Sequence, residues 1–169
     1  MTVLARIAAN IVNSNSQDAK RLSHLRNRIR NVISDARVDI HLQPILNLQT
    51  REVQGYEALS RFQDRADTLS PRSWFEDARE VGMQPLLECT AIAEAVELLK
   101  FLPADTYLSV NASPETVQIG AVADILQDGP PERIMLDLTE HEDADKLDGL
   151  DLALSEPVSY THLTLPTIA

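Results

Sequence analysis

The sequence predicts an α/β fold in which a mainly parallel sheet, covered by helices, follows a helical segment. Three observations predict it. Apolar residues recur at helical spacing over residues 1–36, whereas alternating segments typical of strands begin at residue 38 and then alternate with amphipathic segments. With 169 residues, 44% of them hydrophobic, the chain is long enough for one domain with a buried core. Doubly wound sheets and the eight-stranded α/β barrel suit this order of elements.

The first segment, residues 1–36, is predicted to be helical. Its second half carries a narrow apolar stripe from Leu22 to Ile33 that is flanked by arginines, a pattern that resembles a coiled-coil seam. The polar residues 13–16 predict a break or a helix cap between the two halves. Two interpretations of the stripe stay open: a dimerising or signal-carrying connector, or a helix that packs on its own domain.

Four strands and four helical segments are predicted after this connector. The strands cover residues 38–42, 53–59, 107–110 and 134–138. The pair Gln43-Pro44 is expected to close the first strand. The helices cover residues 70–81, 84–101, 113–127 and, weakly, 143–154. Ser70-Pro71 and Ser113-Pro114 each combine a capping serine with proline at the first helical position, which predicts where two helices begin.

The net charge and the cysteine content limit which binding partners and which cellular compartment the sequence predicts. The net charge is −11, and the basic residues concentrate in residues 1–37, so that the remaining body is strongly acidic. General DNA or RNA binding needs a cationic surface, and we therefore expect no nucleic acid polymer as a partner. The single cysteine excludes an internal disulfide, and no apolar stretch reaches the ~18–20 residues of a membrane span. Since the N-terminus also lacks a signal-peptide pattern, we expect a cytoplasmic protein.

A polar side chain stands at the end of each predicted strand: Gln43, Glu57, Asn111 and Asp137. Because the carboxyl ends of parallel strands meet at one edge of a sheet, we expect these side chains to lie close together. Two carboxylates and an amide are hard oxygen ligands, which favour Mg²⁺, Mn²⁺ or Ca²⁺ over zinc. The alternative is that these residues are polar only because strands end in solvated loops.

The motifs around these residues resemble those of the EAL domain, a family of bacterial phosphodiesterases that act on the second messenger cyclic di-GMP. Gln43-Pro44-Ile45 and Gly55-Tyr56-Glu57-Ala58-Leu59-Ser60-Arg61 resemble its opening, with the Glu-Ala-Leu of the name at 57–59. Ser109-Val110-Asn111-Ala112-Ser113-Pro114 resembles its Val-Asn-x-Ser-Pro motif, and Leu136-Asp137-Leu138-Thr139-Glu140 resembles its Glu-Leu-Thr-Glu motif. The resemblance covers about residues 28–154. It implies about the first four strands of a (β/α)₈ TIM-type barrel, preceded by the helical linker.

The resemblance implies three metal ligands. Glu57 and Asn111 would bind the metal directly, and Asp137 would occupy a third ligand position, where the family usually has glutamate. Aspartate is one methylene shorter, so its carboxylate falls short by ~1.5 Å, about one C–C bond length. Asp137 would then bind through a bridging water or after a backbone shift, and either change weakens one metal site.

The resemblance also implies contacts with the substrate. Arg61 matches an arginine that contacts a phosphate, a role that suits its bidentate guanidinium. Gln43 and Leu59 would line the substrate pocket, and Glu140 would support an active-site loop. The implied reaction is hydrolysis of cyclic di-GMP to linear pGpG, with a pair of Mg²⁺ or Mn²⁺ ions that activate a water and compensate charge on the phosphate.

Two functions from different classes follow for the intact protein. The first is a cyclic di-GMP phosphodiesterase, a homodimer controlled by an N-terminal sensory domain. The second is a degenerate EAL module that acts as a non-catalytic cyclic di-GMP receptor or as a protein-interaction domain. The aspartate at 137 favours the second function, whereas Glu57, Asn111 and Arg61 favour the first.

The chain is too short for the whole barrel, which takes ~250 residues. After the fourth predicted strand it lacks the paired aspartates, the lysine and the later glutamate that the family places there. Residues 158–168 carry no charge and resemble translated adapter sequence. We therefore expect a helical linker over 1–36, a truncated EAL domain over 37–154 and a non-native tail over 155–169. The set of catalytic residues is incomplete, and we expect this chain alone to be inactive.

Overall fold

The computed structural model describes residues 3–35, 37–63, 70–127, 129–138 and 163–164. In chain order the elements are α1 (Val3–Ser34), β1 (Val38–Leu46), β2 (Val53–Phe62), α2 (Pro71–Glu80), α3 (Gln84–Glu97), β3 (Tyr107–Ala112), α4 (Pro114–Gln118), α5 (Ala121–Gln127), β4 (Ile134–Leu138) and β5 (Leu163–Thr164). Two short 3₁₀ turns, Leu98–Phe101 and Pro131–Arg133, follow α3 and precede β4. The predicted α/β class and the four predicted strands are confirmed.

The strands form one sheet in the order β1-β2-β3-β4-β5. β1 is antiparallel to β2, whereas β2 and β3, β3 and β4, and β4 and the two-residue β5 pair in parallel. Helices connect β2 to β3 and β3 to β4, as parallel neighbours require. The prediction of a mainly parallel sheet is therefore confirmed.

The two faces of the sheet differ in polarity because side chains alternate along each strand. On one face, Leu108 and Val110 of β3 and Leu136 of β4 are almost fully buried. They form the first core cluster together with Ile92 of α3 and Leu126 of α5. The predicted metal ligands lie at the alternate positions of the same strands, so they occupy the opposite face of the sheet. The helices thus cover the apolar face and leave the polar face open.

Three strands are longer than predicted. β1 passes through Pro44 and ends at Leu46, so the prediction that Gln43-Pro44 closes this strand is wrong. Pro44 lacks an N–H donor, but β1 is the outer strand of the described sheet, where proline is tolerated. β2 continues to Phe62 and β3 continues to Ala112. These extensions place Arg61 and Asn111 within strands.

The predicted helix over 113–127 is divided into α4 and α5. Ser113 caps α4 as predicted, since its side chain accepts a hydrogen bond from the Thr116 backbone N–H. The division lies at Gly120, whose φ of 78° falls in the left-handed region that glycine adopts without strain. Gly120 therefore ends the first helical turn and allows α5 to start in a new direction.

The helix α1 runs without interruption, so the predicted break at 13–16 is wrong. This segment contains neither proline nor glycine, and its asparagines and serines each cost less than about 0.7 kcal/mol in a helix. The second half of the apolar stripe is buried on the chain's own domain. Ile29 and Val32 pack with Trp74 and Ala78 of α2 and Leu87 of α3 in a second core cluster. This part of α1 therefore packs on its own domain, which is the second of the two interpretations of the stripe.

Arginines of α1 bind acidic residues of α2. Arg21 pairs with Glu80, and Arg28 pairs with the carboxylate of Asp77. The guanidinium of Arg28 also lies 4.6 Å from the ring centroid of Trp74, a cation–π contact. These contacts hold α1 against α2 next to the second core cluster.

The proposed boundaries at residues 36 and 154 stay predictions. The predicted helix over 143–154 lies outside the described residues, as does most of the predicted tail over 155–169. Of that tail, Leu163 and Thr164 pair with Leu136 and Asp137 of β4. Within the described part of the chain, no helix has the length and apolar character needed to cross a membrane.

Candidate functional site

The three predicted metal ligands lie on neighbouring strands and on the same face of the sheet. Asn111 of β3 is directly opposite Asp137 of β4 in the ladder. The Asn111 Nδ2 amide donates a hydrogen bond to Glu57 Oε1 of β2 at 3.4 Å. All three residues are partly exposed. The sheet thus places two carboxylates and one amide on one face of three neighbouring strands. Asn111 and Asp137 lie near the carboxyl ends of β3 and β4, whereas Glu57 lies in the middle of β2, so the prediction that Glu57 ends its strand is wrong.

Ser109 adds a polar group that the sequence reasoning missed. It precedes Asn111 by two residues on the same face, lies opposite Glu57 and is only 1% exposed. Its hydroxyl donates a hydrogen bond to Asp137 Oδ2. The sequence contained a signal for this residue, because side chains alternate between the two faces of a strand and Ser109 and Asn111 therefore share one face of β3. Two hydrogen-bonded pairs, Ser109 with Asp137 and Asn111 with Glu57, therefore lie next to each other on this face.

A glycine lies on β2 two residues before Glu57, where a tyrosine ring leaves little room for a side chain. Gly55 lies opposite Tyr107, and a Cβ at residue 55 would lie only 2.6 Å from the tyrosine ring. The ring therefore covers the glycine on the same face as Glu57 and Ser109. The ring of Tyr107 thus covers this face of the sheet next to the polar side chains of Glu57 and Ser109.

The predicted substrate contacts extend the same face along the antiparallel strand pair. Gln43 of β1 lies opposite Glu57, and Leu59 lies opposite His41. Arg61 is exposed at the end of β2, where its guanidinium donates a 2.9 Å hydrogen bond to the Ser60 carbonyl. Four residues separate Arg61 from Glu57 along the strand, a distance of about 13 Å at 3.3 Å per residue. Glu140 lies outside the described residues.

Glu88 of α3 is a second residue that the sequence reasoning missed. Its carboxylate is buried, and Oε2 accepts hydrogen bonds from the Ser113 N–H at 2.9 Å, the Ser113 hydroxyl at 2.8 Å and the Thr116 hydroxyl. Gln84 donates to Oε1 at 2.8 Å. One carboxylate thus anchors the turn that begins directly after Asn111 and Ala112.

Cavities lie on both sides of Asn111. One, of about 220 Å³, is lined by Leu59, Arg61 and Asn111 together with apolar residues of α3. The other, of about 180 Å³, is lined by Arg72, Phe75, Glu88 and Asn111 together with residues at the start of α4. Space for a ligand therefore adjoins Arg61, the proposed phosphate contact, and Asn111, one of the three proposed metal ligands.

The donor set fits a hard divalent cation. Carboxylate and amide oxygens are the ligands that Mg²⁺, Mn²⁺ and Ca²⁺ prefer. Within the described ranges, no three His, Cys, Asp or Glu side chains lie close enough to hold a metal ion together. The candidate set therefore depends on the amide of Asn111 in addition to the carboxylates of Glu57 and Asp137.

Comparison with known proteins decides the family. The family model of the EAL domain matches residues 26–154, which is most of the chain. The chain belongs to the EAL domain family. A probable cyclic di-GMP phosphodiesterase of Escherichia coli K12, PdeB, is 28% identical over 137 residues, which is 75% of this chain and 26% of PdeB. The chain thus spans about a quarter of the length of this curated relative.

Solved EAL structures share the fold. The EAL domain of FimX from Xanthomonas citri, in complex with cyclic di-GMP, matches with a TM-score of 0.69 and 22% identity over 85% of this chain and 59% of its own. BlrP1 of Klebsiella pneumoniae, in a calcium and cyclic di-GMP complex, matches with a TM-score of 0.61 and 23% identity over 75% of this chain and 34% of its own. These relatives are (β/α)₈ barrel domains, so the described sheet is part of such a barrel.

The cysteine of this EAL chain is shielded. Cys89 is partly buried and packs against the first core cluster. Burial raises the pKa of its thiol, and the neighbouring Glu88 carboxylate raises that pKa further. The thiolate is the reactive form, so the folded chain holds little of it at neutral pH.

We expect Cys89 of the folded chain to react with Ellman's reagent at pH 7.5 severalfold more slowly than Cys89 of the chain unfolded in urea. Raising the pH should accelerate the reaction of the folded chain, because it forms more thiolate. Free cysteine in the same urea concentration controls for the effect of urea on the reagent. Equal rates for folded and unfolded chains would contradict the assignment.

Proposed function

We propose that the intact protein hydrolyses cyclic di-GMP to linear pGpG with Mg²⁺ or Mn²⁺. The observation that supports this most is the grouping of Glu57, Asn111 and Asp137 on one face of three neighbouring strands. Membership of the EAL family and a curated relative named as a probable cyclic di-GMP phosphodiesterase support the same class. Relatives crystallised with calcium or manganese and cyclic di-GMP support a divalent cation.

Each residue of the site has a proposed role. Glu57, Asn111 and Asp137 hold the cation through oxygen atoms. When bound, divalent ions supply an activated water and neutralise charge on the phosphate. Arg61 binds a phosphate oxygen pair through its guanidinium.

The remaining predicted contacts support the ligand. Gln43 and Leu59 contact it from the antiparallel strand pair, on the same face as Glu57. Glu140 supports a neighbouring loop. Together these residues bind and orient the ligand, whereas the chemical step also needs groups from the rest of the barrel. We therefore expect this chain alone to bind without turnover.

The second candidate is a receptor or interaction module that binds cyclic di-GMP without hydrolysis. Asp137 favours it, because the side chain is shorter than the usual glutamate. A weakened cation site can still leave Arg61, Gln43 and Leu59 to bind the nucleotide. The two candidates therefore differ in whether binding requires the cation.

The context of the intact protein is also a proposal. α1 has 32 residues and begins at Val3, and residues of its second half, from Leu22 onward, pack in the second core cluster. We propose that the first half of α1 connects the domain to an N-terminal sensory domain and that the helix takes part in a homodimer. A cytoplasmic location is consistent with the nucleotide ligand.

The test is calorimetry of cyclic di-GMP binding to the 169-residue chain with and without Mn²⁺. We expect Mn²⁺ to strengthen binding, and Glu57→Gln to weaken the Mn²⁺-dependent part at least tenfold, the cost typical even of residues that only support a ligand. Glutamine can still accept the hydrogen bond from Asn111, so the substitution removes mainly the charge. The matched control is Glu52→Gln, an exposed carboxylate at the hairpin end of β2.

The other outcomes separate the candidates. Binding that ignores both Mn²⁺ and Glu57→Gln would support the receptor function. Hydrolysis of cyclic di-GMP by this chain, lost in Glu57→Ala, would contradict the expected inactivity of the isolated chain. No binding under either condition would contradict both candidates for this chain.

A further inference from the structure

We propose that Ser109 is a positioning residue that orients the Asp137 carboxylate toward the cation site. The inference rests on the proposed metal site and adds a residue to it. It starts from the hydrogen bond that the Ser109 hydroxyl donates to Asp137 Oδ2 across the parallel strands β3 and β4. Ser109 is almost fully buried, so water does not compete well for this bond.

The register explains why Ser109 can do this. Asp137 is directly opposite Asn111, and Ser109 lies two residues earlier on β3, opposite Met135. On its other side Ser109 is opposite Glu57. The serine hydroxyl therefore lies between the strands that carry the two carboxylates. A hydrogen bond from this position holds the Asp137 carboxylate on the face that also carries Asn111 and Glu57.

The length of the side chain explains why this partner matters. The carboxylate of an aspartate remains ~1.5 Å closer to its own backbone than that of a glutamate. A short, buried hydroxyl on the neighbouring strand meets such a carboxylate near the sheet surface. Because a serine hydroxyl has one proton to donate, it restrains one of the two oxygens of the carboxylate. Supporting hydrogen bonds of this kind typically change metal affinity 10- to 100-fold.

The first test measures the affinity of the 169-residue chain for Mn²⁺ alone, by electron paramagnetic resonance of free Mn²⁺. We expect Ser109→Ala to raise the dissociation constant about 10- to 100-fold. Asp137→Glu in the Ser109→Ala background should recover most of the loss, because the longer side chain reaches the site without a supporting partner. Ser34→Ala is the matched control, since it removes a 3.2 Å serine–aspartate hydrogen bond, to Asp35, at the exposed end of α1.

The second test needs no metal. A double-mutant cycle of Ser109→Ala and Asp137→Ala, measured by urea unfolding, should show that the two residues are coupled. The unfolding equilibrium constant of the double variant should be about fivefold smaller than the value expected if the two single effects were independent. Absence of this coupling would overturn the proposal. So would an unchanged Mn²⁺ affinity in Ser109→Ala, or a loss that Asp137→Glu does not recover.

The two tests distinguish this proposal from the proposed function. If the unchanged chain binds no Mn²⁺ while the coupling is present, the cation site fails and the orientation of Asp137 by Ser109 stands. If the chain binds Mn²⁺ through Glu57 and the coupling is absent, the cation site stands and the positioning role fails.

Discussion

Replacing Trp74 with alanine is expected to lower the free energy of unfolding by about 3–5 kcal/mol, the range typical of deleting a buried tryptophan or phenylalanine. Trp74 is only 1% exposed and belongs to the second core cluster, which joins α1, α2 and α3. Its ring stacks on Phe62 with 5.1 Å between centroids, and Arg28 lies over it. The alanine variant therefore loses an aromatic contact, a cation–π contact and the volume of the ring.

Urea unfolding followed by circular dichroism measures this effect, because Trp74 is the only tryptophan and its fluorescence disappears with the substitution. Trp74→Phe keeps a ring beside Phe62 and should cost clearly less. Phe101→Ala is the matched control, since Phe101 is 75% exposed, and its expected effect is within about 0.5 kcal/mol. A Trp74→Ala loss as small as that of Phe101→Ala would contradict the assignment of Trp74 to the core.

Glu88→Ala is expected to lower the free energy of unfolding by at least about 3 kcal/mol. The substitution removes the shared acceptor of three donors at the start of α4, namely the Ser113 N–H and the hydroxyls of Ser113 and Thr116. Hydrogen bonds to a charged group are worth about 1.5–3 kcal/mol each, and buried donors left without a partner add a penalty. The remaining contact between the Ser113 and Thr116 hydroxyls offsets part of the loss.

Two variants on the same helix provide the comparison. Glu88→Gln retains an acceptor oxygen without the charge and should lose about half as much, because charge-assisted bonds are roughly twice as strong as neutral ones. Glu94→Ala removes an exposed carboxylate of α3 and should change stability by less than about 0.5 kcal/mol. Faster hydrogen exchange at Ser113 and Thr116 in Glu88→Ala is also expected. Equal stability of the Glu88→Ala and Glu94→Ala variants would contradict the anchoring role.

The sequence carried enough local information to predict the order of the elements. Alternating and helical periodicities separated the four strands from the helices, because burial of one face repeats every two or every 3.6 residues. Ser70 and Ser113 marked helix starts correctly, since capping and proline at the first position are short-range effects. The grouping of Glu57, Asn111 and Asp137 on one face followed from the rule that parallel strands end at a common edge.

What the sequence did not predict depends on contacts between distant segments. Pro44 looks like a strand end unless β1 is known to be the outer strand of the described sheet. Gly120 divides a helix only because its backbone is left-handed there. The roles of Glu88 and Ser109 come from hydrogen bonds that span 25 and 28 residues of sequence, to Ser113 and Asp137. No local pattern encodes such partners.

The aromatic contact between Trp74 and Phe62 has a mechanical consequence. Phe62 directly follows Arg61, so the residue proposed to bind phosphate and the residue that stacks on Trp74 share one peptide unit at the end of β2. Arg28 of α1 lies over the ring of Trp74, the other member of the stacked pair. Turning α1 by a single residue position, 100° about its axis, would withdraw Arg28 from the indole and remove the buried side chain of Ile29 from its neighbours. A rotation of α1 would therefore alter the contacts of Trp74, whose stacking partner Phe62 directly follows Arg61.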